Sequence, residues 1–270
     1  MSSMTISNLT KEMLKKMFSS KKRFDGRDLF EYRELKIEKD ISKKAEGSAR
    51  VCLGKTEVLV GVKLAIGEPY PDSLDKGNLT VSADLLPLAS PRFEQGPPGF
   101  NAIELPRLVD RAIRESGMID LSKLVIKEKE KVWTIFIDIY PINDDGNLVD
   151  ASTIGAIIAL QNTKIPVLEG ETINYEKKRS EPLPLVEGIA PISISFYKIG
   201  NSLFLDPTRE EEEACNARIT WGISQIKDQK FINSCQKSGE ATFLSEEIEE
   251  MMKILPKKFE EINEKIKKAK

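Results

Sequence analysis

Arg107, Arg111 and Arg114 stand four and three residues apart in the stretch NAIELPRLVDRAIRES, residues 101–116. On a helix, at about 100° per residue, this spacing gathers them on one narrow arc. Leu105, Leu108, Val109, Ala112 and Ser116 fall on the opposite side. Guanidinium groups are planar forks that meet phosphate oxygens two at a time, and all three positions are Arg although the chain uses Lys freely elsewhere. A Gly/Pro-rich loop, ASPRFEQGPPGF, comes just before, so the stripe is expected near a helix N-terminus, where backbone N–H groups favour anions. The chemistry offered is the gripping of a phosphate-bearing chain. A second reading stands beside it: Glu104 precedes Arg107 by three and Asp110 precedes Arg114 by four, so ion pairs on a wet surface also account for the stripe. Pro106 is either the first residue of this helix or an irregularity inside it.

The remaining chemistry is bounded by an absence. The 270 residues contain no histidine. Ser-His-Asp and Cys-His nucleophiles, His-based zinc catalysis and histidine proton shuttles are therefore excluded. Carboxylates, Lys, Tyr, a metal held by oxygen ligands or a substrate's own phosphate are left. Neither GxGxxG nor GxxxxGK[ST] occurs. NDDGN, 143–147, has the oxygen ligands of a metal site, but Asp-Gly is a turn dipeptide and no third ligand follows at fixed spacing, so a hairpin turn is expected. REEEEA, 209–214, puts acid in the first turns of a helix, where it complements the macrodipole, and a solvated face is expected. Cys52, Cys215 and Cys235 are scattered without metal-ligand spacing, as suits a reducing compartment, and Cys52 is expected to be a small core residue. No metal and no cofactor is expected.

With 41 basic and 43 acidic residues, the chain cannot coat a polyanion generally, so any such partner must be met by a local patch. An apolar fraction of 40% and a charged fraction of 31% describe a soluble globular protein. The N-terminus lacks the apolar run of a signal peptide, and IGAIIAL is too short to span a bilayer, so a cytoplasmic protein without membrane contact is expected.

The arginine helix needs a sheet to hold it, and strand patterns lie on both sides. Residues 6–18 read as an amphipathic helix with Ile6, Leu9, Met13, Leu14 and Met17 on its apolar side. Strand patterns follow at ELKIEKD, SARVCLG and TEVLVGVKLAI. In the last, Val58, Val60, Val62, Leu64 and Ile66 share one face, and Gly54-Lys55 forms the hairpin turn. NLTVSADLLPL is a further strand. KLVI and KVWTIFIDIYPI form a second hairpin, with Trp133, Ile135, Ile137 and Ile139 alternating. DASTIGAIIALQNT, 150–163, is almost wholly apolar after its Asp150 cap and reads as a buried helix. Beyond a polar joint come the hairpin ISISFYKIG–SLFLD, a short helix capped by Asp206 with Pro207 first, the strands ARITWGI and KFINSCQKSG, and a charged amphipathic helix over 245–268. The expected class is α+β, with two related lobes of mixed sheet and packed helices. The expected division is an N-terminal helical extension (1–22), a first lobe (23–165), a connecting segment (166–190) and a second lobe with the C-terminal helix (191–270).

Several segments in order, FDGRDLFEYRELKI, EGSARVCLGKTEVLVGVKL, GNLTVSADLLPLA, NAIELPRLVDRAIRES, DGNLVDASTIGAIIALQNTKIP and ATFLSEEIEEMMKIL, resemble the RNase PH family over roughly residues 20–260. Within it they are most similar to the non-catalytic subunits of the archaeal exosome. The resemblance implies a fold of two related lobes and, in active members, 3′→5′ phosphorolysis of RNA that releases nucleoside diphosphates. Active members share an Arg-Arg pair just before the arginine helix, where this chain has Phe100 and Asn101. They share a Gly-Thr/Ser-Arg that holds phosphate at the start of the buried helix, matched here to ASTI with Ile154 in the arginine's place. They also share an aspartate twelve residues beyond the position of Asp206, where Arg218 stands. The resemblance therefore implies a subunit that is not itself an enzyme. It further implies RNA contact through Arg107, Arg111 and Arg114, and a six-membered ring formed as a trimer of heterodimers with a catalytic paralogue. RNA-binding cap subunits are the remaining partners implied. The alternative readings are an independent phosphorolytic 3′→5′ exoribonuclease and a purely architectural subunit whose arginines make only intersubunit salt bridges.

Overall fold

The computed structural model describes residues 6–170, 172–174, 177 and 181–268. The first five residues of the expected extension, parts of 166–190 and residues 269–270 lie outside the described residues.

Helix α1 (Asn8–Ser19) opens the chain, N-capped by the Ser7 hydroxyl, which accepts from the Thr10 N–H. Its buried side differs from the expected one. Leu14 and Phe18 are enclosed, while Leu9 is 81% exposed and Met13 half exposed. Phe18 decides the orientation, because its ring sits 4.5 Å from that of Phe204.

Strands β1 (Leu35–Lys39), β2 (Gly47–Leu53), β3 (Thr56–Gly67), β4 (Asn78–Ala83), β5 (Val125–Lys127) and β6 (Lys131–Asn143) form the first sheet. Its order is β1-β2-β3-β6-β4, with β5 paired to β6 and β4 running parallel to β6. Alternation decides its inner face: Val58, Val60, Val62 and Leu64 of β3 are buried with Trp133, Ile135, Ile137 and Ile139 of β6. Gly54 takes a φ of +58° in the β2–β3 turn, as the Gly54-Lys55 signal implied. Two expectations fail here. Cys52 falls on the outer face of β2 and is only half-buried, because Val51 and Leu53 take the inner one. The expected strand through Leu88 ends at Ala83, and Leu86 and Leu88 project outward from the loop beyond it.

Helix α2 (Phe100–Ser116) carries the arginine stripe. Pro106 lies inside it, a tolerated irregularity, and is buried against the core. Helix α3 (Leu148–Asn162) is buried along almost its whole length and packs on β2 and β3. Gly155 permits the approach: a Cβ there would stand 2.7 Å from Val60 Cγ2. The helix starts two residues before the expected Asp150 cap. Asn147, with a φ of +58°, precedes it, and Asp150 lies fully buried in the first turn. NDDGN is accordingly a strand-to-helix connection between β6 and α3, not a hairpin turn.

The connection holds two short pairs, β7 (Lys164–Ile165) with β10 (Glu181–Pro182) and β8 (Val167–Glu169) with β9 (Thr172–Asn174). The second sheet is antiparallel in the order β12-β11-β13-β14, from β11 (Ile192–Ile199), β12 (Ser202–Leu205), β13 (Ala217–Ile226) and β14 (Gln229–Gly239). Helix α4 (Arg209–Ala214) is capped by Thr208 rather than Asp206, in a capping box with Glu211. Asp206 is instead a buried residue with a φ of +47°. Helix α5 (Ser245–Lys268) packs on β11, burying Met251, Leu255, Phe259, Ile262 and Ile266.

Helix α3 also packs on β11, so it joins the two sheets. Its contact with β11 is polar: Thr153 Oγ1 donates to Ser193 Oγ at 3.0 Å, and Ser195 Oγ donates to Asp150 Oδ1 at 2.7 Å. Among the described residues, no helix is long and apolar enough to cross a membrane.

Candidate nucleic-acid interface

The stripe lies along the exposed flank of α2, because Leu105, Leu108, Val109 and Ala112 turn the other flank into the core. Arg107, Arg111 and Arg114 line a groove of about 550 Å³ with Tyr70 and residues 79–81 of β4. The three arginines are not equivalent. Arg114 is held by Asp110, with Nη2–Oδ1 at 2.7 Å and Nε–Oδ2 at 3.1 Å, and it donates to the Leu79 carbonyl at 3.0 Å. Arg107 and Arg111 have no hydrogen-bond or ion-pair partner among the described residues. Glu104, the expected partner of Arg107, reaches the other way and pairs with Arg218 at 2.7 Å. The ion-pair reading of the stripe therefore holds for Arg114 and fails for the other two.

Arg107 stands seven residues past Phe100, where α2 begins. At 1.5 Å per residue that is about 10 Å from the helix start, so the terminal N–H groups do not share its site. What the stripe offers an anion is therefore its side chains alone.

Phe100, Asn101 and Arg218 come together elsewhere, in a cavity of about 230 Å³ that also meets Arg92, Glu104 and Glu212. Ile154 does not join them. It sits well inside α3, is 1% exposed and belongs to the core. The residues at the start of α3 that line the cavity are Leu148 and Val149, because the helix begins earlier than the sequence pattern implied.

The cavity's cations are already matched. Arg92 pairs with Asp144 at 2.7 Å and with Glu212 at 3.2 Å, and Arg218 pairs with Glu104. Glu212 Oε1 also accepts from the backbone N–H of Asn147 and from the Tyr197 hydroxyl, each at 3.2 Å. A carboxylate of the chain itself thus occupies a donor at the entry to α3. Burial pushes the Asp144 carboxyl above its ordinary range, against the pull of Arg92. Two guanidinium groups face three carboxylates, so the cavity gives an added anion no net attraction.

This corrects the expectation that REEEEA is a solvated face. Glu211 is 1% exposed and bridged to Arg23, with Nε–Oε1 at 3.1 Å, while Glu212 turns into the cavity. The capping box winds α4 against the body of the protein, and arginines remote in sequence meet its acids.

A second polar network joins the lobes nearby. Asp206 receives Arg33 through Nη2–Oδ1 at 2.7 Å and Nε–Oδ2 at 2.9 Å, Arg27 at 3.0 Å, and the Asn147 amide at 2.9 Å. Asp150 accepts from Tyr32 at 2.8 Å as well as from Ser195. Burial raises the Asp150 carboxyl to about 6, and the hydrogen bonds from Ser195, Tyr32 and Asn147 oppose that rise. Among the described residues, no group of three His, Cys, Asp or Glu side chains is arranged to hold a metal ion.

Sequence reasoning missed Tyr70, Arg92 and Glu212. The segment EPYPD marks Tyr70 as an aromatic on a turn, but no pattern marks Arg92 or Glu212, whose ion-pair partners lie 52 to 120 residues away.

Residues 31–166 match domain 1 of the 3′ exoribonuclease family, and residues 190–254 match domain 2. The chain is 41% identical over 264 residues to exosome complex component Rrp42 of Methanothermobacter thermautotrophicus, covering 98% of this chain and 96% of the relative. Among solved structures it is similar to a chain of the Archaeoglobus fulgidus exosome with RNA bound to the active site, at 41% identity, a TM-score of 0.83, and coverage of 93% of this chain and 98% of that one. It is also similar to a chain of an archaeal exosome core, at 38% identity, a TM-score of 0.84, and 97% coverage of both. Two matched domains, in the family's order and along most of the sequence, make this chain a member of the RNase PH family of 3′ exoribonucleases.

Proposed function

We propose that this chain is a non-catalytic ring subunit of an archaeal-type exosome. In this reading it alternates with a catalytic RNase-PH-type paralogue in a trimer of heterodimers, below RNA-binding cap subunits. It supports 3′→5′ phosphorolysis by gripping RNA phosphates and shaping the partner's active site. The relatives named as exosome components support the assembly. The observation that carries the division of labour is Glu212. Its carboxylate takes the Asn147 N–H at the entry to α3, the end of the buried helix where active members resemble one another in holding inorganic phosphate. Leu148 and Val149 supply no arginine there, and Arg218, the counterpart of the family's aspartate, neither donates a proton near neutral pH nor attracts a divalent cation. Arg107 and Arg111 retain free guanidinium groups, the form that RNA phosphates require.

The test compares the pure chain with the chain co-purified with its paralogue, each incubated with RNA, phosphate and Mg²⁺. The pure chain releases no nucleoside diphosphate and the complex does. Release by the pure chain, unchanged by Arg218→Ala, overturns the reading in favour of an independent exoribonuclease. In the assembled ring, Arg107→Ala or Arg111→Ala lowers the slope of log affinity against log salt by roughly 0.7 per lost phosphate contact. An unchanged slope on verified rings removes the RNA grip.

A further inference from the structure

We propose that Tyr70 is a nucleobase-stacking platform that works with Arg107 and Arg111 on one strand of RNA. The proposal rests on the RNA-binding reading of the stripe and adds a base-binding subsite to it.

Tyr70 lines the same groove as Arg107 and Arg111, across from the exposed flank of α2. It is 46% exposed, although its phenol offers an apolar face worth covering. Its backbone is set before any ligand arrives. Pro69 and Pro71 flank it, and the Ser73 N–H donates to the Tyr70 carbonyl at 2.9 Å, closing a turn. The side chain lies close enough to Arg114 for the two to interact electrostatically, and Arg114 is itself fixed by Asp110 and the Leu79 carbonyl. An exposed aromatic on a hydrogen-bonded turn therefore borders a groove whose free cations are Arg107 and Arg111.

Single-stranded nucleic acid is held by this combination, cations for the backbone and an aromatic face for a base. A folded protein partner would leave the two guanidinium groups needing carboxylates, and a free anion would leave the ring uncovered. A strand of RNA satisfies both halves. Every base has a π-face, so the platform binds without selecting sequence.

The experiment uses the ring assembled with its catalytic paralogue and verified by light scattering, with a labelled oligoadenylate as probe. Tyr70→Ala lowers affinity by roughly tenfold, while the salt slope stays at its wild-type value because stacking releases no counterions. Tyr70→Phe retains wild-type affinity, and Tyr70→Leu behaves like Tyr70→Ala. An oligomer bearing abasic sites binds wild-type and Tyr70→Ala rings alike. The same titrations on Arg107→Ala and Arg111→Ala rings separate the two claims. If those variants lose affinity and salt slope while Tyr70→Ala changes nothing, stacking is wrong and the phosphate grip stands. If neither set changes RNA binding, the grip itself fails. Loss of assembly in Tyr70→Ala, with unchanged affinity per intact ring, assigns the groove to a protein contact and overturns the proposal. Equal losses in Tyr70→Phe and Tyr70→Ala overturn it as well, because the hydroxyl and not the ring then matters.

Discussion

Arg92 and Arg218 line the cavity at the start of α2, whereas Arg107 and Arg111 lie further along the exposed flank of the same helix. The first pair faces Glu104, Glu212 and Asp144 within 3.2 Å. The second pair faces solvent. A guanidinium that meets a carboxylate in a partly desolvated cavity becomes part of the structure, because removing either partner strands the other. A guanidinium held by its helix but matched by nothing is available to an external anion. The contrast shows that arginine content alone does not locate a binding surface. What decides is whether the chain supplies the counter-charge.

The largest loss is expected in the buried network between the lobes, where the matched charges are most fully enclosed. Arg33→Ala leaves Asp206 buried with Arg27, the Asn147 amide and the backbone N–H of residue 33, and should lower unfolding free energy by about 3–5 kcal/mol. Denaturant titration reads this directly, and a loss below about 1 kcal/mol would show that water reaches Asp206.

Asp150 gives the next largest effect and a sign. Its carboxyl titrates near 6 in the folded protein, against 3.8 ordinarily, because burial disfavours the charge. The native state therefore holds the proton more tightly than the unfolded chain. The resulting stability is fully present below about pH 4, is lost as pH rises to about 6, and amounts to something on the order of 3 kcal/mol. Asp150→Asn should remove this contribution, so the difference in stability between wild type and variant changes between pH 4 and 6 and is flat above. A pH-independent difference would show that Asp150 keeps its charge in the fold.

Arg218→Ala sharpens the contrast at the cavity itself. It strands the partly exposed Glu104, so a loss of about 1–2 kcal/mol is expected, with RNA affinity of the intact ring unchanged. The smallest effects belong to the stripe. Arg114→Ala removes an i,i+4 pair and one carbonyl contact and should cost about 0.5–1 kcal/mol. Arg107→Ala and Arg111→Ala should stay within about 0.5 kcal/mol of wild type, because nothing in the fold depends on them. If their thermal denaturation matched that of Arg114→Ala, the division within the stripe would collapse.

Read from its residues, the chain yields its elements with few errors. Alternation places β3 and β6, and the uniformly apolar run gives α3 as a buried helix. The amphipathic pattern gives α5 over 245–268, because each is a local periodicity that the buried face imposes on neighbouring residues. The stripe of α2 was legible for the same reason. The errors fall where the deciding partner is distant. Phe204 turns α1 onto Leu14 and Phe18. Arg27 and Arg33 draw Asp206 inward, away from the helix it was expected to cap. Arg23 and Arg92 turn Glu211 and Glu212 from a solvated face into the interior. The early start of α3 leaves Ile154 in the core and hands the cavity to Leu148 and Val149.

The class of fold, the helix that presents the arginines and the absence of histidine chemistry were thus legible in the residues alone. All of these depend on composition or on spacing within a few turns. Only the tertiary structure decided which arginines are free. An ion pair forms between groups a few ångströms apart in space, and for Arg218 and Glu104, as for Arg92 and Glu212, more than a hundred residues separate the partners along the chain.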